Sequence, residues 1–450
     1  MAANRGRMGA CLRNSPGKWE LKTEWEEKMI RLTAFAVSAV ALILGGALSA
    51  HAAEQPRCGL SNGKTATGEP IPIGAIVSRT GPDDFSGSAY AAEAYFKCVN
   101  ANGGINGRPI NYIVGDDQWN PETAAQLAAK QVNDEKVVAQ VGSSSFVECG
   151  ANAKLYEQAN LISITGTGVP RECFTAKNIA PVNAGPRLSS IAAAEYTNKT
   201  AGAKSFVCIA PNIPNVGPWS CGGVEDWAKA KGYAASTILI DPASADFTSI
   251  ALQAASSHPD AILLGIPKGL TLAFLAAAQE QGLLDKGKFT SAAAAYSADV
   301  PHALGADWNG RFSVNMEFAQ ALDDASTPDN ANWHAIMDQY AAKAAPRDTF
   351  AQSGYLAARI ATETLLKLDP AKITREVVSD ALRHVDRFES DILCRPWYFG
   401  TDALRHNANN TLRMSVTSGE RWKPVSDCTP VNDPELADLL PYQEKLGIKR

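Results

Sequence analysis

Along residues 71–291, short apolar runs alternate with longer stretches in which Ala, Leu, Tyr and Phe recur at helical spacing. The runs 71–77, 109–115, 137–141 and 161–164 read as strands, because β-branched and apolar residues cluster there between turn signals. The stretches 88–102, 121–134 and 147–159 read as helices, and Asn120 before Pro121 carries the signature of a helix start. The alternation restarts with helix 189–199, strand 205–209, helix 223–231, strand 236–240, helix 248–257, strand 261–265, helix 270–281 and strand 288–291. Such alternation predicts an α/β chain whose mostly parallel sheets are covered by helices. Two series in one chain predict two lobes, each with its own core.

The chain is expected to cross between lobes three times: at 184–187, by the apolar stretch 310–318, and near 387–391. That assigns 70–187 with 318–387 to the first lobe, 188–317 with 388–430 to the second, and 431–450 to a tail. Helices at 332–344 and 349–367 complete the first lobe, and 396–400 and 412–417 are expected as late strands of the second.

Candidate chemistry sits at two strand ends. The run 137–141 ends in Gly142-Ser143-Ser144-Ser145, and 161–164 ends in Thr165-Gly166-Thr167-Gly168. In open α/β sheets ligands bind at the carboxyl edges of strands. Hydroxyls and bare amides at helix starts suit a small anion such as a carboxylate. Ser143, Ser144, Ser145, Thr165, Gly166 and Thr167 are therefore candidate binding residues; serving as ordinary helix caps is the alternative.

Met29-Ile30-Arg31 opens a short basic region, 34–47 is an apolar core too short to span a bilayer, and Ala50-His51-Ala52 offers a cleavage site. Residues 29–52 thus read as a signal peptide, and the polar residues 1–28 as a leader outside the native product. Cys58 does not directly follow the cut, which argues against a lipid anchor. Residues 53–450 hold 35 basic and 43 acidic side chains, so no basic patch for nucleic acid or an anionic membrane is expected. Eight cysteines remain there, an even number that reads as disulfides in an exported chain. Cys149 and Cys173 flank the candidate turns, and Cys208 and Cys221 join a strand end to a helix start, so each two are paired. Cys58 with Cys98 and Cys394 with Cys428 are left by proximity, although spacing alone leaves their connectivity open. No spacing suits zinc, and no HExxH, GxSxG, P-loop or dinucleotide fingerprint occurs, so no metal, cofactor or catalysis is expected.

Several segments resemble one known family. Ile73-Gly74-Ala75-Ile76-Val77-Ser78-Arg79-Thr80-Gly81-Pro82 is similar to a first strand and its S/T-G-P loop. Asn100 to Arg108 resembles the N-x-x-GGI-x-G turn, and Asp116-Asp117 with Asn120-Pro121 resembles the start of the second helix. Val141 to Ser145, Ile162-Ser163 with Thr167, and Pro396-Trp397-Tyr398-Phe399 match its ligand turns and closing strands. The family is that of periplasmic branched-chain amino-acid-binding proteins, the type I solute-binding proteins of ABC importers. The resemblance implies a two-lobed periplasmic clamp with three crossover strands, a monomer that closes on a small ligand and delivers it to an ABC permease of the inner membrane. It implies that Ser144 or Ser145, Thr167 and the Thr165 carbonyl face the ligand, with Phe85 as an apolar wall. A sensory module feeding a membrane kinase or chemoreceptor is the alternative use of such a fold.

One departure bears on the ligand. Where the family places an acid to meet a ligand ammonium, this chain reads Phe289-Thr290-Ser291-Ala292-Ala293-Ala294-Ala295-Tyr296, with no carboxylate before Asp299. An ammonium closed in without a counter-charge is costly. A carboxylate lacking an amine, or a neutral amide, therefore fits better than a standard α-amino acid. Tyr296, Trp119 and Trp219 are candidate walls, with packing as the alternative for each. A Cys208–Cys221 bridge would preorganise the Pro-rich loop 211–220 at the cleft edge.

Overall fold

The computed structural model describes residues 56–448 apart from Leu404, so the expected leader 1–28 and signal peptide 29–52 lie outside the described residues. β1 (Ile71–Val77) is central to the first sheet. β2 (Ile110–Asp116) runs parallel beside it, from Ile71 opposite Ile110 to Val77 opposite Asp116. On the other side lie β3 (Ala139–Val141) with its continuation β4 (Ser144–Ser145), then β5 (Ser163–Ile164) with β6 (Thr167–Gly168), all parallel. Each of these two strands breaks at a glycine. Gly142 takes a left-handed φ of 78°, and a Cβ on Gly166 would fall 1.8 Å from the Ser88 hydroxyl.

Helices cover the first sheet on both faces, which is why β1 is apolar on successive residues rather than alternate ones. The helix Gly87–Ala101 packs along Thr349–Leu365, with the Tyr95 and Tyr355 rings 5.4 Å apart. The second sheet has strands β7 (Ser205–Pro211), β8 (Ala234–Ile240), β9 (Ala261–Leu264), β10 (Lys288–Ser291) and β11 (Phe312–Met316), in the parallel order β8-β7-β9-β10-β11. Antiparallel β12 (Thr411–Ser418), β13 (Arg421–Pro424) and β14 (Thr429–Pro430) finish it. A continuous buried cluster runs through both halves.

The first crossing follows residues 179–183, whose amides bond along β5 and β6: Ala180 N to the Ser163 carbonyl at 2.9 Å and Val182 N to that of Thr165 at 2.9 Å. The helix Pro186–Ala201 then enters the second half, so part of the expected crossing 184–187 is a helix start. The second crossing passes through Glu317 to the helix Pro328–Tyr340. The third lies later than expected. Trp397 is buried and donates its indole N–H to the Pro181 carbonyl at 2.9 Å, which keeps 388–400 on the first-lobe side. The chain reaches the second sheet only after Asn409, so 396–400 is not one of its strands. Helix Gly217–Ala230 starts earlier than the expected 223, with Pro218 in its first turn. The expected tail is packed: Val431, Leu436, Leu439 and Ile448 are buried, and Asp433 grips Arg187 at 2.7 and 3.0 Å.

Four disulfides form, Cys58–Cys98, Cys149–Cys173, Cys208–Cys221 and Cys394–Cys428. Each restricts the unfolded chain. Reduction is expected to lower stability by about 2–4 kcal/mol per bridge, seen by calorimetry as a lower melting temperature. Labelling of these eight thiols in the native, unreduced protein would contradict the bridges.

Candidate functional site

The carboxyl ends of both sheets face a common cleft with about 420 Å³ of empty space, part of it open to solvent. Its walls are largely apolar: Phe85, Phe146 and Val169 from the first lobe, Val216 and Ile266 from the second, and Phe350 from the helix Thr349–Leu365. Phe85 is central to this wall, with ring centroids 4.8 Å from Phe146 and 4.4 Å from Phe350. The polar side chains on the walls are Thr167, Asn183, Ser189 and Glu317. Gly185, Val216 and Pro267 are the residues just before three helices, and all three line the cleft. The amino ends of those helices therefore lie around one space and favour negative charge within it.

Of the ten residues expected at the site, Phe85 and Thr167 line the cleft. The Thr167 hydroxyl sits 3.1 Å from that of Ser353, and its amide bonds the Ser143 carbonyl at 3.0 Å. The Ser143, Ser145 and Thr165 hydroxyls are occupied elsewhere. Ser145 caps the helix Glu148–Gln158, accepting from the amides of Val147 at 3.0 Å and Glu148 at 2.9 Å, and donates to Asp117. The Ser143 hydroxyl accepts from the Ile76 amide at 3.1 Å. Ser144 holds the sheet together through its backbone, paired with Val77 and Thr167; its buried hydroxyl has no partner and it is not a lining residue. Thr165 pairs with Ser163 at 2.8 Å, and Gly166 packs on Ser88.

The remaining aromatic walls are displaced from the expected positions. Trp119 stands one layer back, stacked on Phe146 at 3.9 Å and 13°, with its indole N–H on the Asp83 carbonyl at 3.1 Å. Trp219 packs on Phe174 and points its indole away from the cleft at Glu435, 3.4 Å away, while its carbonyl accepts from Arg187. Tyr296 is buried against Trp422 in the second lobe; the alanines before it, Ala292 to Ala294, reach the cleft instead. Sequence reasoning passed over Phe146, which directly follows the serine run, and Glu317, the lone acid closing an apolar strand.

Two contacts tie the halves across the cleft mouth. Asp83, in the loop after β1, accepts from the Gly269 amide at 2.7 Å, capping the helix Lys268–Glu280 from the opposite lobe. On the other side the Arg171 amide donates to the Asn215 carbonyl at 2.9 Å, and Asn215 Nδ2 to Glu172 at 2.5 Å. At the back of the cleft Glu317 accepts from Asn183 Nδ2 at 3.2 Å and from the amides of Ala184 at 3.2 Å and Gly185 at 3.3 Å. Asn409 Nδ2 donates to the Glu317 carbonyl at 2.9 Å and to that of Val182 at 3.3 Å, so the three crossings are stitched together there.

Burial raises several carboxyls in this region: Glu148 to about 8, Glu317 to about 7 and Asp348 to about 6. Among the described residues no cluster of His, Cys, Asp and Glu is arranged to hold a metal ion. An acid whose folded pKa is raised holds a proton that the unfolded chain has released, so it favours folding increasingly as pH falls from the folded to the unfolded value. The stability difference between wild type and Glu148→Gln is therefore expected to change by a few kcal/mol between pH 9 and pH 5, in favour of wild type at the lower pH. Denaturant melts across that range check it, and parallel curves would contradict it.

A family model described as periplasmic binding protein matches residues 70–420. An "amino acid binding protein" of Pseudomonas aeruginosa is 33% identical over 100 residues, 21% of this chain and 26% of that protein, so the match spans about a quarter of the relative's length. A solute-binding protein of an ABC transporter from R. palustris, solved with 4-hydroxybenzoate, superposes with a TM-score of 0.69 at 18% identity, covering 82% of this chain and 100% of that one. Another from Rhodopseudomonas palustris BisB5, solved with 3,4-dihydroxybenzoic acid, gives 0.67 at 19%, covering 81% and 99%. A leucine-binding protein of Thermotoga maritima gives 0.65 at 17%, covering 80% and 99%. At these identities the structural likenesses establish the two-lobed fold.

Proposed function

Because the chain belongs to the periplasmic binding protein family, we propose that it is an exported solute-binding protein that captures one small carboxylate or amino-acid-like ligand between its lobes. Closure about the three stitched crossings would enclose the ligand, and the closed form would deliver it to an ABC permease of the inner membrane. The observation that carries this reading is the cleft itself, with aromatic walls, the Thr167 hydroxyl and helix amino ends meeting at the strand ends of two sheets. A ring or branched chain fits Phe85, Phe146 and Phe350, and a carboxylate gains from hydroxyl and helix-end donors once water is excluded. A neighbour named a leucine-binding protein and neighbours solved with hydroxybenzoates support both kinds of ligand. Four disulfides support an oxidising compartment such as the periplasm.

The test is a thermal-shift screen over amino acids, aromatic acids, short-chain acids and amides, followed by calorimetry. A rise in melting temperature with saturable one-to-one binding, the ligand recovered unchanged, is expected; turnover of the ligand would contradict the reading. Thr167→Ala is expected to weaken an acid ligand by roughly 1–3 kcal/mol, the worth of a bond to a charged group. Unchanged affinity would remove Thr167 from the site.

A further inference from the structure

The four disulfides are not equivalent. Three of them each lie within one lobe, and their six cysteines are at most 3% exposed. Cys394 and Cys428 are only half-buried, and Cys394 lines an open groove with Arg387, Glu389, Asp391 and Arg395. This bridge also joins segments that belong to different lobes. The loop before Cys394 is fixed to the first-lobe helix Pro328–Tyr340: the Ser390 hydroxyl donates to Asp329 at 2.7 Å, and the Asp329 amide to Asp391 at 2.9 Å. The chain around Cys428 is fixed to β12 of the second sheet. There the Val425 amide donates to the Met414 carbonyl at 2.8 Å, and Thr429 pairs with Leu412. The bridge therefore spans 34 positions that contain the whole third crossing.

Thiol–disulfide exchange needs a sulfur that an attacking thiolate can reach. The six buried cysteines withhold theirs, whereas Cys394 borders the groove. A bridge across a hinge also has a mechanical effect that one within a lobe lacks. Intact, it limits how far the third crossing can extend. Once it is cut, that stretch regains conformational freedom. The nearby restraints are then hydrogen bonds, from the Ala319 amide to the Ile392 carbonyl at 2.8 Å and from Arg413 to the Ala319 carbonyl. Opening becomes more favourable, and a ligand that binds the closed form must offset more. We propose that Cys394–Cys428 is a site of reversible thiol–disulfide exchange that sets how wide the lobes open. The co-reactant is a dithiol. One thiolate attacks the Cys394 Sγ, forming a mixed disulfide and releasing Cys428 as a thiolate. The second thiol of the reductant then displaces the Cys394 sulfur, and the reductant departs as a cyclic disulfide. Two electrons pass to the protein, and its two cysteine sulfurs take up the two thiol protons.

Dithiothreitol in non-denaturing buffer, followed by alkylation and peptide mass spectrometry, is expected to label Cys394 and Cys428 before any of the other six cysteines. Without ligand, the selectively reduced protein is expected to show a larger radius of gyration in small-angle scattering than the oxidised protein. A ligand found by the wider screen is expected to bind it roughly 5-fold more weakly or worse, the lower edge of ordinary coupling between sites. The double variant Cys394→Ser/Cys428→Ser is expected to match the reduced protein and to be indifferent to dithiothreitol. Labelling of all four bridges together, or of a buried one first, overturns the assignment. So does an unchanged ligand-free radius, or an undiminished affinity, after selective reduction. Reduced wild type decides even where the variant does not fold. Only the affinity change rests on the solute-capture reading, so labelling and ligand-free scattering decide the proposal even if no ligand is found.

Discussion

Three chain crossings must meet in one place, and the protein solves this with a buried carboxylate and two asparagines. Asn183, Glu317 and Asn409 each come from a different crossing: Asn183 donates to the Glu317 carboxyl, and Asn409 to the carbonyls of Glu317 and Val182. Without these bonds the crossings would bury main-chain groups with nothing to satisfy them. With them, the crossings lie together at the back of the cleft, where Asn183 and Glu317 also form part of its wall.

The cleft is built in layers. The kinks at Gly142 and Gly166 deliver Phe146 and Thr167 to the wall, while Ser145 and Asp117 fix the turn behind them. Trp119 backs Phe146 and also holds the loop that carries Asp83. Asp83 then caps a helix of the opposite lobe. The aromatic wall and the contact across the mouth therefore share one support.

Much of the architecture could be read along the chain because its signals are local. The alternation of 71–77, 88–102 and 109–115, the Asn120 cap, and the even cysteine count depend on residues a few positions apart. The site was less legible because its partners are remote in sequence. Ser145 looks available until Asp117, 28 residues away, takes its hydroxyl; Thr167 meets Ser353, 186 residues away. Trp219 follows Glu435, 216 residues away, out of the cleft. Trp397 anchors on Pro181, which shifts the third crossing past the expected 387–391. Glu317 was hidden in plain view, one acid following the run Phe312–Met316, with nothing nearby in sequence to mark its bonds to the other crossings.

The central claim is that lobes joined at Glu317 close around a solute. Small-angle X-ray scattering of the protein with and without a saturating ligand tests it most directly. The account predicts a smaller radius of gyration with ligand, and the same contraction diminished in Asp83→Ala, which lacks the cap on Gly269. Superimposable profiles at saturation would contradict it.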